Sequence, residues 1–202
     1  MITIGLTGSI GMGKSTTSAL FADAGVATCD SDAVVHQLYE NEAVPLIEQG
    51  FAGTTDNGQV NRQKLGEILR QNPANFSKLE KIVHPLVQQK QNEFLVAQRQ
   101  RGAEFALLDI PLLYETGAES RVDTVVVVSC SAEIQRRRVL SRPGMTAEKL
   151  DMILARQMPD PEKRQRADFV IDTGQGLERA RAQVQAVLAA LRAGEKGKHE
   201  NA

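Results

Sequence analysis

Short apolar runs and amphipathic stretches alternate along this chain. Ile2–Leu6 is an apolar run that breaks into glycine, which predicts a first strand. Lys14–Ala24 has helical spacing and closes on Gly25, a residue suited to ending helices. Val26–Asp30 predicts a second strand, and a helix follows through Val34, Val35 and Leu38. The pattern then changes. From Asn41 to Gly102 the apolar positions Leu65, Ile68, Leu69, Phe76, Leu79, Ile82, Val83 and Leu86 recur at helical spacings, with no convincing strand among them. Pro85 is expected to kink or end a helix there. Strands resume at Phe105–Ile110, at Thr124–Cys130 with its four consecutive valines, and at Phe169–Ile171. A valine run of that kind is what a parallel strand buried on both faces requires. Helices are predicted over Ala132–Ser141 and Ala147–Met158, with a short one opened by Asp160 as cap and Pro161 as first residue. Leu177–Leu191 is a last amphipathic helix, and the polar stretch Gly194–Ala202 reads as a disordered tail. Strands alternating with helices predict an α/β fold with a parallel sheet flanked by helices.

The first strand runs into Gly8-Ser9-Ile10-Gly11-Met12-Gly13-Lys14-Ser15, a P-loop pattern in the strand-to-helix setting that it needs. Glycine lets the backbone approach phosphate without Cβ clashes. Successive N–H groups then form an anion nest at a helix N-terminus. On this reading Gly8, Gly11, Met12, Gly13, Lys14, Ser15 and Thr16 hold the nucleotide. Lys14 faces the β/γ phosphates, and Ser15 offers its hydroxyl to Mg²⁺. The competing reading, a plain glycine-rich turn with a solvated lysine, leaves the pattern unexplained.

Transfer of a phosphoryl group to an alcohol needs a carboxylate near the acceptor hydroxyl. Asp30 and Asp32 stand at the C-terminal end of strand 2, the sheet edge where open α/β folds bind ligands. If the strand continues they point the same way; if the chain turns at Ser31, one becomes a helix cap. Asp30, nearer the sheet, suits capping or the metal, and Asp32 lies further toward the helical lobe. Asp109, ending a strand, is a second candidate near Mg²⁺. Arg136, Arg137, Arg138 and Arg142 lie on or just after one helix, and Arg156 follows on the next. Arg136 and Arg137 read as a solvated face. Arg142, before Pro143-Gly144, and Arg156 are candidates to neutralise the transferring phosphoryl group.

Composition removes other classes. With 24 basic and 25 acidic residues the net charge is -1, so no general affinity for nucleic acid or membranes is expected. Trp is absent and Tyr numbers 2, too few for stacking platforms. No segment matches a membrane span or a signal peptide. Cys29 and Cys130 have no ligand spacing and read as buried thiols, which suits the cytoplasm. His36, His84 and His199 share no metal-ligand spacing. Guanine-reading motifs are absent, which counts against a GTP-dependent switch. Another small-molecule kinase and a non-catalytic nucleotide switch are the rival readings.

Five motifs in order resemble the dephospho-coenzyme A kinase family over residues 1–192: Ile4–Ser15, Asp30-Ser31-Asp32, Val83-His84-Pro85-Leu86-Val87, Asp109-Ile110-Pro111-Leu112-Leu113-Tyr114-Glu115, and Gln157-Met158 with Arg166–Asp172. The resemblance implies a nucleoside-monophosphate-kinase-like core at 1–40 and 103–192 within a single domain. It also implies a helical acceptor-binding lobe at about 41–102 and a lid at about 138–160. It implies transfer of the ATP γ-phosphate, with Mg²⁺, to the ribose 3′-hydroxyl of dephospho-coenzyme A. On this basis Asp32, Lys14 and Arg142 are expected to be catalytic. Asp32, His84, Pro85, Leu113, Tyr114 and Arg156 would contact the acceptor, Ser15, Asp30 and Asp109 the metal. Three positions depart from the family pattern: Ser9 for glycine, Ser31 for a small apolar residue, and His36 where arginine is common.

Overall fold

The protein was analysed as a computed structural model that describes residues 1–72 and 74–195. Most of the tail read as disordered, with His199, therefore lies outside the described residues. The elements run β1 (Ile2–Thr7), α1 (Lys14–Asp23), β2 (Ala27–Asp30), α2 (Ser31–Leu38), α3 (Val44–Gly50), β3 (Thr55–Asp56), β4 (Gln59–Val60), α4 (Arg62–Gln71), α5 (Ala74–Gln100), β5 (Phe105–Asp109), β6 (Thr124–Ser129), α6 (Ala132–Leu140), α7 (Ala147–Leu154), α8 (Asp160–Arg166), β7 (Phe169–Asp172) and α9 (Leu177–Arg192). A short 3₁₀ turn covers Ala118–Arg121.

Contacts divide the chain into two compact units, Met1–Cys29 with Gln98–Ala202, and Asp30–Ala97. The first is built on a five-stranded sheet of order β2-β5-β1-β6-β7. β1 pairs in parallel with β5 and β6, and β6 with β7. Every residue of β5 and β6 is buried, as continuous apolar runs predict. Leu6, Leu107, Val126, Val128 and Ile171 pack with Leu20 and Phe21 of α1 and with Val184 and Leu188 of α9. Because the strands are parallel, Thr7, Asp109, Ser129 and Asp172 all finish at one edge.

The second unit has its own core of Leu38, Ile47, Phe51, Val60, Leu65, Leu69 and Val83, from α2, α3, α4 and α5 and the segments joining them. Three expectations need correction. First, the unit does contain strands: β3 and β4 form an antiparallel hairpin around Asn57 and Gly58, both at positive φ (51° and 78°). This Asn-Gly turn suits the right-handed twist of paired strands. Second, α7 ends at Leu154, not Met158. Gln157 and Met158 are drawn to other partners, and Pro159 disfavours helical geometry at the residue before it. Third, the short helix starts one residue early, with Pro159 at the cap and Asp160 as first residue. Of the two outcomes expected at Pro85, the helix end does not occur: α5 runs through it. Val83 and its neighbours Leu79, Ile82, Leu86 and Val87 are anchored in the core on both sides of the proline. Pro85 itself is exposed, so water can serve the carbonyl that loses its donor.

Candidate active site

The P-loop is held by packing as much as by sequence. At Gly8 an added Cβ would sit 2.4 Å from Val128 Cγ2 and 2.8 Å from its carbonyl oxygen, so only glycine lets β1 turn here. Gly11 and Gly13 adopt φ of 77° and 91°. Ser9, by contrast, is not at positive φ, which is why this position tolerates a side chain. Met12 is buried, and its sulfur accepts the Cys130 N–H at 3.2 Å. The Thr173 hydroxyl donates to the Met12 carbonyl at 2.7 Å. Two glutamines hold Ile10: Gln135 Nε2 donates to its carbonyl at 2.8 Å, and its N–H donates to Gln157 Oε1 at 3.0 Å.

Lys14, the first residue of α1, pairs with Asp109 at the end of β5. The register explains the contact, since Asp109 lies beside Leu6, just before the loop begins. The Asp109 carboxylate is buried and Lys14 only partly exposed. Ser15 and Thr16 are exposed at the helix start. Among the described residues no group of three His, Cys, Asp or Glu could hold a metal ion. One hydroxyl and one carboxylate still fit Mg²⁺, which keeps waters and binds chiefly to substrate phosphates.

Beyond Asp109 the chain carries Leu113 and Tyr114, both buried. Burial, reinforced by the Asp168 carboxylate, pushes the Tyr114 hydroxyl up to about 12, with the Arg166 guanidinium partly offsetting it. Tyr114 is therefore neutral and has no role as a base. Arg166 covers its ring at 4.6 Å. Glu115 joins two segments: Oε1 accepts the Met158 N–H at 2.7 Å and lies 2.8 Å from Lys163 Nζ. Lys163 is fully buried, and this ion pair is its electrostatic partner even though Nζ makes no well-aligned hydrogen bond. Gln157 and Met158 are thus tied to Ile10 and Glu115 by adjacent residues.

The basic candidates separate. Arg136 and Arg137 are exposed, as a solvated face requires. Arg138 turns inward, donating to Thr173 Oγ1 at 3.0 Å and to its carbonyl at 2.8 Å. Arg142 is exposed beside Pro143 and Gly144, the latter at φ 75°. Arg156 is exposed in the turn after α7.

In the second unit the chain turns at Ser31, so the two aspartates take different tasks. Asp30 caps α2, its Oδ1 accepting the N–H groups of Asp32 and Ala33 at 2.8 and 3.3 Å. Asp32 sits exposed in the first helical turn. Ser31 is buried and its hydroxyl accepts from Gln91 Nε2 at 2.9 Å, which gives the departure from an apolar residue a purpose. His84 and Pro85 are exposed on α5. His36 contacts Arg62 of α4. Sequence reading did not single out Gln135, Thr173, Lys163 or Arg62. Each acts on a partner distant in the chain, and no local pattern marks them.

Comparison with known proteins gives a consistent result. The family model described as dephospho-CoA kinase matches residues 2–178. A dephospho-CoA kinase of Agrobacterium fabrum is 68% identical over 191 residues, 95% of this chain and 98% of its own. One of Mesorhizobium japonicum is 57% identical, covering 98% and 100%. Among solved structures, dephospho-CoA kinase from Campylobacter jejuni aligns with a TM-score of 0.72 at 25% identity, covering 95% of this chain and 98% of its own. A Thermus thermophilus protein aligns at 0.82 and 35%, covering 94% and 97%. Shikimate kinase from Acinetobacter baumannii, at 0.55 and 21% with 96% and 95% covered, shares the fold.

Proposed function

The chain belongs to the dephospho-coenzyme A kinase family, and from that premise we propose how its side chains divide the reaction. The enzyme is an ATP-dependent kinase that converts dephospho-coenzyme A to coenzyme A. On our reading the γ-phosphate passes to the ribose 3′-hydroxyl. Kinship carries the acceptor. The observation that carries the donor half is Lys14 paired with buried Asp109 beside a glycine loop packed on Val128. The loop N–H groups bind the phosphates, and Lys14 leaves Asp109 for the β/γ oxygens. Ser15 and Asp109 would hold Mg²⁺, which supplies charge neutralisation on the phosphates. Arg142, exposed beside a glycine turn, closes on the transferring group as charge develops. Arg156 reaches toward the acceptor from the same segment. Arg138 braces Thr173, and through it Met12, instead of touching phosphate.

Asp32 orients the acceptor hydroxyl and takes its proton. Asp30 caps the helix that carries it; its Oδ1 is occupied, which favours Asp109 as the metal-side carboxylate. His84 and Pro85 present a polar and an apolar contact for the acceptor; Leu113 packs near Gly5 and Tyr114 beside Arg166 and Asp168, so their part in acceptor binding rests on kinship alone. Buried thiols outside any disulfide, at Cys29 and Cys130, support a cytoplasmic location.

The test is direct. The full chain is incubated with MgATP and dephospho-coenzyme A, and in parallel with adenosine monophosphate or shikimate. One added phosphate on dephospho-coenzyme A, with matching ADP, is expected. ADP release that is indifferent to dephospho-coenzyme A would defeat the assignment.

A further inference from the structure

Arg62, the first residue of α4, is held in an unusual way for an exposed arginine. Its Nη1 lies 2.8 Å from Nε2 and 3.2 Å from Nδ1 of His36. One Nη1 this near both ring nitrogens lies against the imidazole ring, and an imidazole carries no negative charge in either of its ordinary states. His36 therefore fixes Arg62 without cancelling its charge. Three other cations of the same unit are committed, Lys64 to Asp56, Lys90 to Glu42 and Lys78 to the Gly50 carbonyl, whereas Arg62 shares its helix end with no such acid. Among the described residues Arg62 has no carboxylate within ion-pair reach.

The location matters as much as the charge. His36 follows Asp32 by four positions on α2, and such positions share one helix face. The guanidinium that His36 holds thus belongs to the face that presents Asp32. Four residues, about 6 Å of helix rise, separate the two anchor positions. The acceptor has a matching layout. Its reacting hydroxyl is at ribose C3′ and its diphosphate is attached at C5′, so the two groups are one sugar apart.

We propose that Arg62, positioned by His36, binds the diphosphate of the acceptor nucleotide while Asp32 engages the 3′-hydroxyl. This rests on dephospho-coenzyme A being the acceptor and Asp32 the base. Arginine suits the task because its planar fork can grip phosphate oxygens in pairs. The pre-set rotamer lowers the ordering cost on binding. Arg62 is a binding residue on this account, and His36 a positioning residue.

Selectivity between acceptors tests the proposal. Adenosine has the same ribose and base but no phosphate. For the wild type and for Arg62→Gln, kcat/KM is measured with dephospho-coenzyme A and with adenosine, or the inhibition constant of adenosine where its turnover is too slow. Loss of a charged hydrogen-bond donor should lower kcat/KM for dephospho-coenzyme A by roughly 10–100-fold, mostly through KM. Adenosine should be unaffected, so the preference collapses. Arg62→Lys should recover part of it, and His36→Ala should cause a smaller loss in the same direction. Equal losses on both acceptors, no loss, or a lowered melting temperature with unchanged selectivity would each overturn the proposal. A wild-type enzyme that ignores dephospho-coenzyme A is a different failure. There the preference is absent before any substitution, and the assigned function falls with it.

Discussion

The two units carry their chemistry in different ways. In the sheet unit it is built into the frame. Gly8 packs on Val128, the Met12 sulfur takes a backbone N–H, and Lys14 rests on a buried carboxylate. In the helical unit, Asp32, His36, Arg62 and His84 are exposed side chains on helix surfaces, above a core that makes no use of them. The tasks differ accordingly. A triphosphate is small and constant, so a rigid backbone nest serves it. An acceptor nucleotide with a long substituent is, on the reading proposed above, recognised by side chains. The difference implies that substitutions in the helical unit can silence the enzyme while leaving it folded, whereas those in the sheet unit tend to cost stability as well.

Asp32→Asn is the strongest attempt to break this contrast. Asparagine keeps the shape but removes the proposed base, so turnover at saturating substrates should fall by roughly 10²–10⁴. The melting temperature should stay within a degree or two of wild type, since exposed side chains contribute little (within about 0.5 kcal/mol). Asp30→Ala should do the reverse, removing a cap worth about 0.5–2 kcal/mol. Wild-type turnover in Asp32→Asn, with a dead but folded Asp30→Asn, would transfer the role of base to Asp30.

Lys163→Met tests the sheet unit. It leaves the Glu115 carboxylate mostly buried without its cation, and breaking such a pair costs about 3–5 kcal/mol. Glu115→Gln keeps an acceptor for the Met158 N–H, so the double variant Glu115→Gln/Lys163→Met should recover most of that loss in urea unfolding. If the single variant unfolds like wild type, Gln157 and Met158 are not anchored through this pair.

Lys14→Ala should show both costs at once. If Lys14 faces the phosphates as proposed, losing its charge should lower kcat by about 10²–10³. A loop lysine would normally be dispensable for folding, but this one covers Asp109, so a stability loss of about 1–3 kcal/mol is expected as well. Adding Asp109→Asn should restore stability and not activity. An unfolding midpoint unchanged by Lys14→Ala would show that the pair contributes nothing to the frame.

Legibility in the sequence follows the same division. The sheet could be read because burial on both faces writes itself as Thr124–Ser129, and the nest because phosphate binding demands glycine at set positions. What escaped was decided by partners far along the chain. Gln135 meets Ile10 across 125 residues and looks no different from a surface glutamine. Lys163 looked like part of a charged helix, yet it is fully buried. Arg62 lies outside any motif, and only the fold brings it to His36. Pro85 left a kink or an end open, and it is core packing on both sides of it that excludes the end.

The β3–β4 hairpin offers the smallest and cleanest test, because its turn signal, Asn57-Gly58, is local even though the sequence reading passed over it. Asp56-Asn57-Gly58-Gln59 is a two-residue turn with positive φ at both central positions. A Cβ added at Gly58 would meet nothing within 4 Å, so Gly58→Ala introduces backbone strain and no clash. A left-handed non-glycine residue costs about 1–2 kcal/mol, and that should be the whole effect on unfolding. The turn is nonetheless tied to the rest of its unit. Asp56 pairs with Lys64 at 2.8 Å, Asn61 Nδ2 donates to Asp56 at 2.6 Å, and the Val60 N–H donates to the Tyr39 carbonyl at 2.8 Å. If those ties serve only stability, kcat and both KM values should be unchanged at temperatures well below melting. A rise in KM for dephospho-coenzyme A would show that the hairpin also sets α4, and with it Arg62. The helical unit would then have a frame of its own beneath its exposed chemistry, and the contrast with the sheet unit would be one of degree.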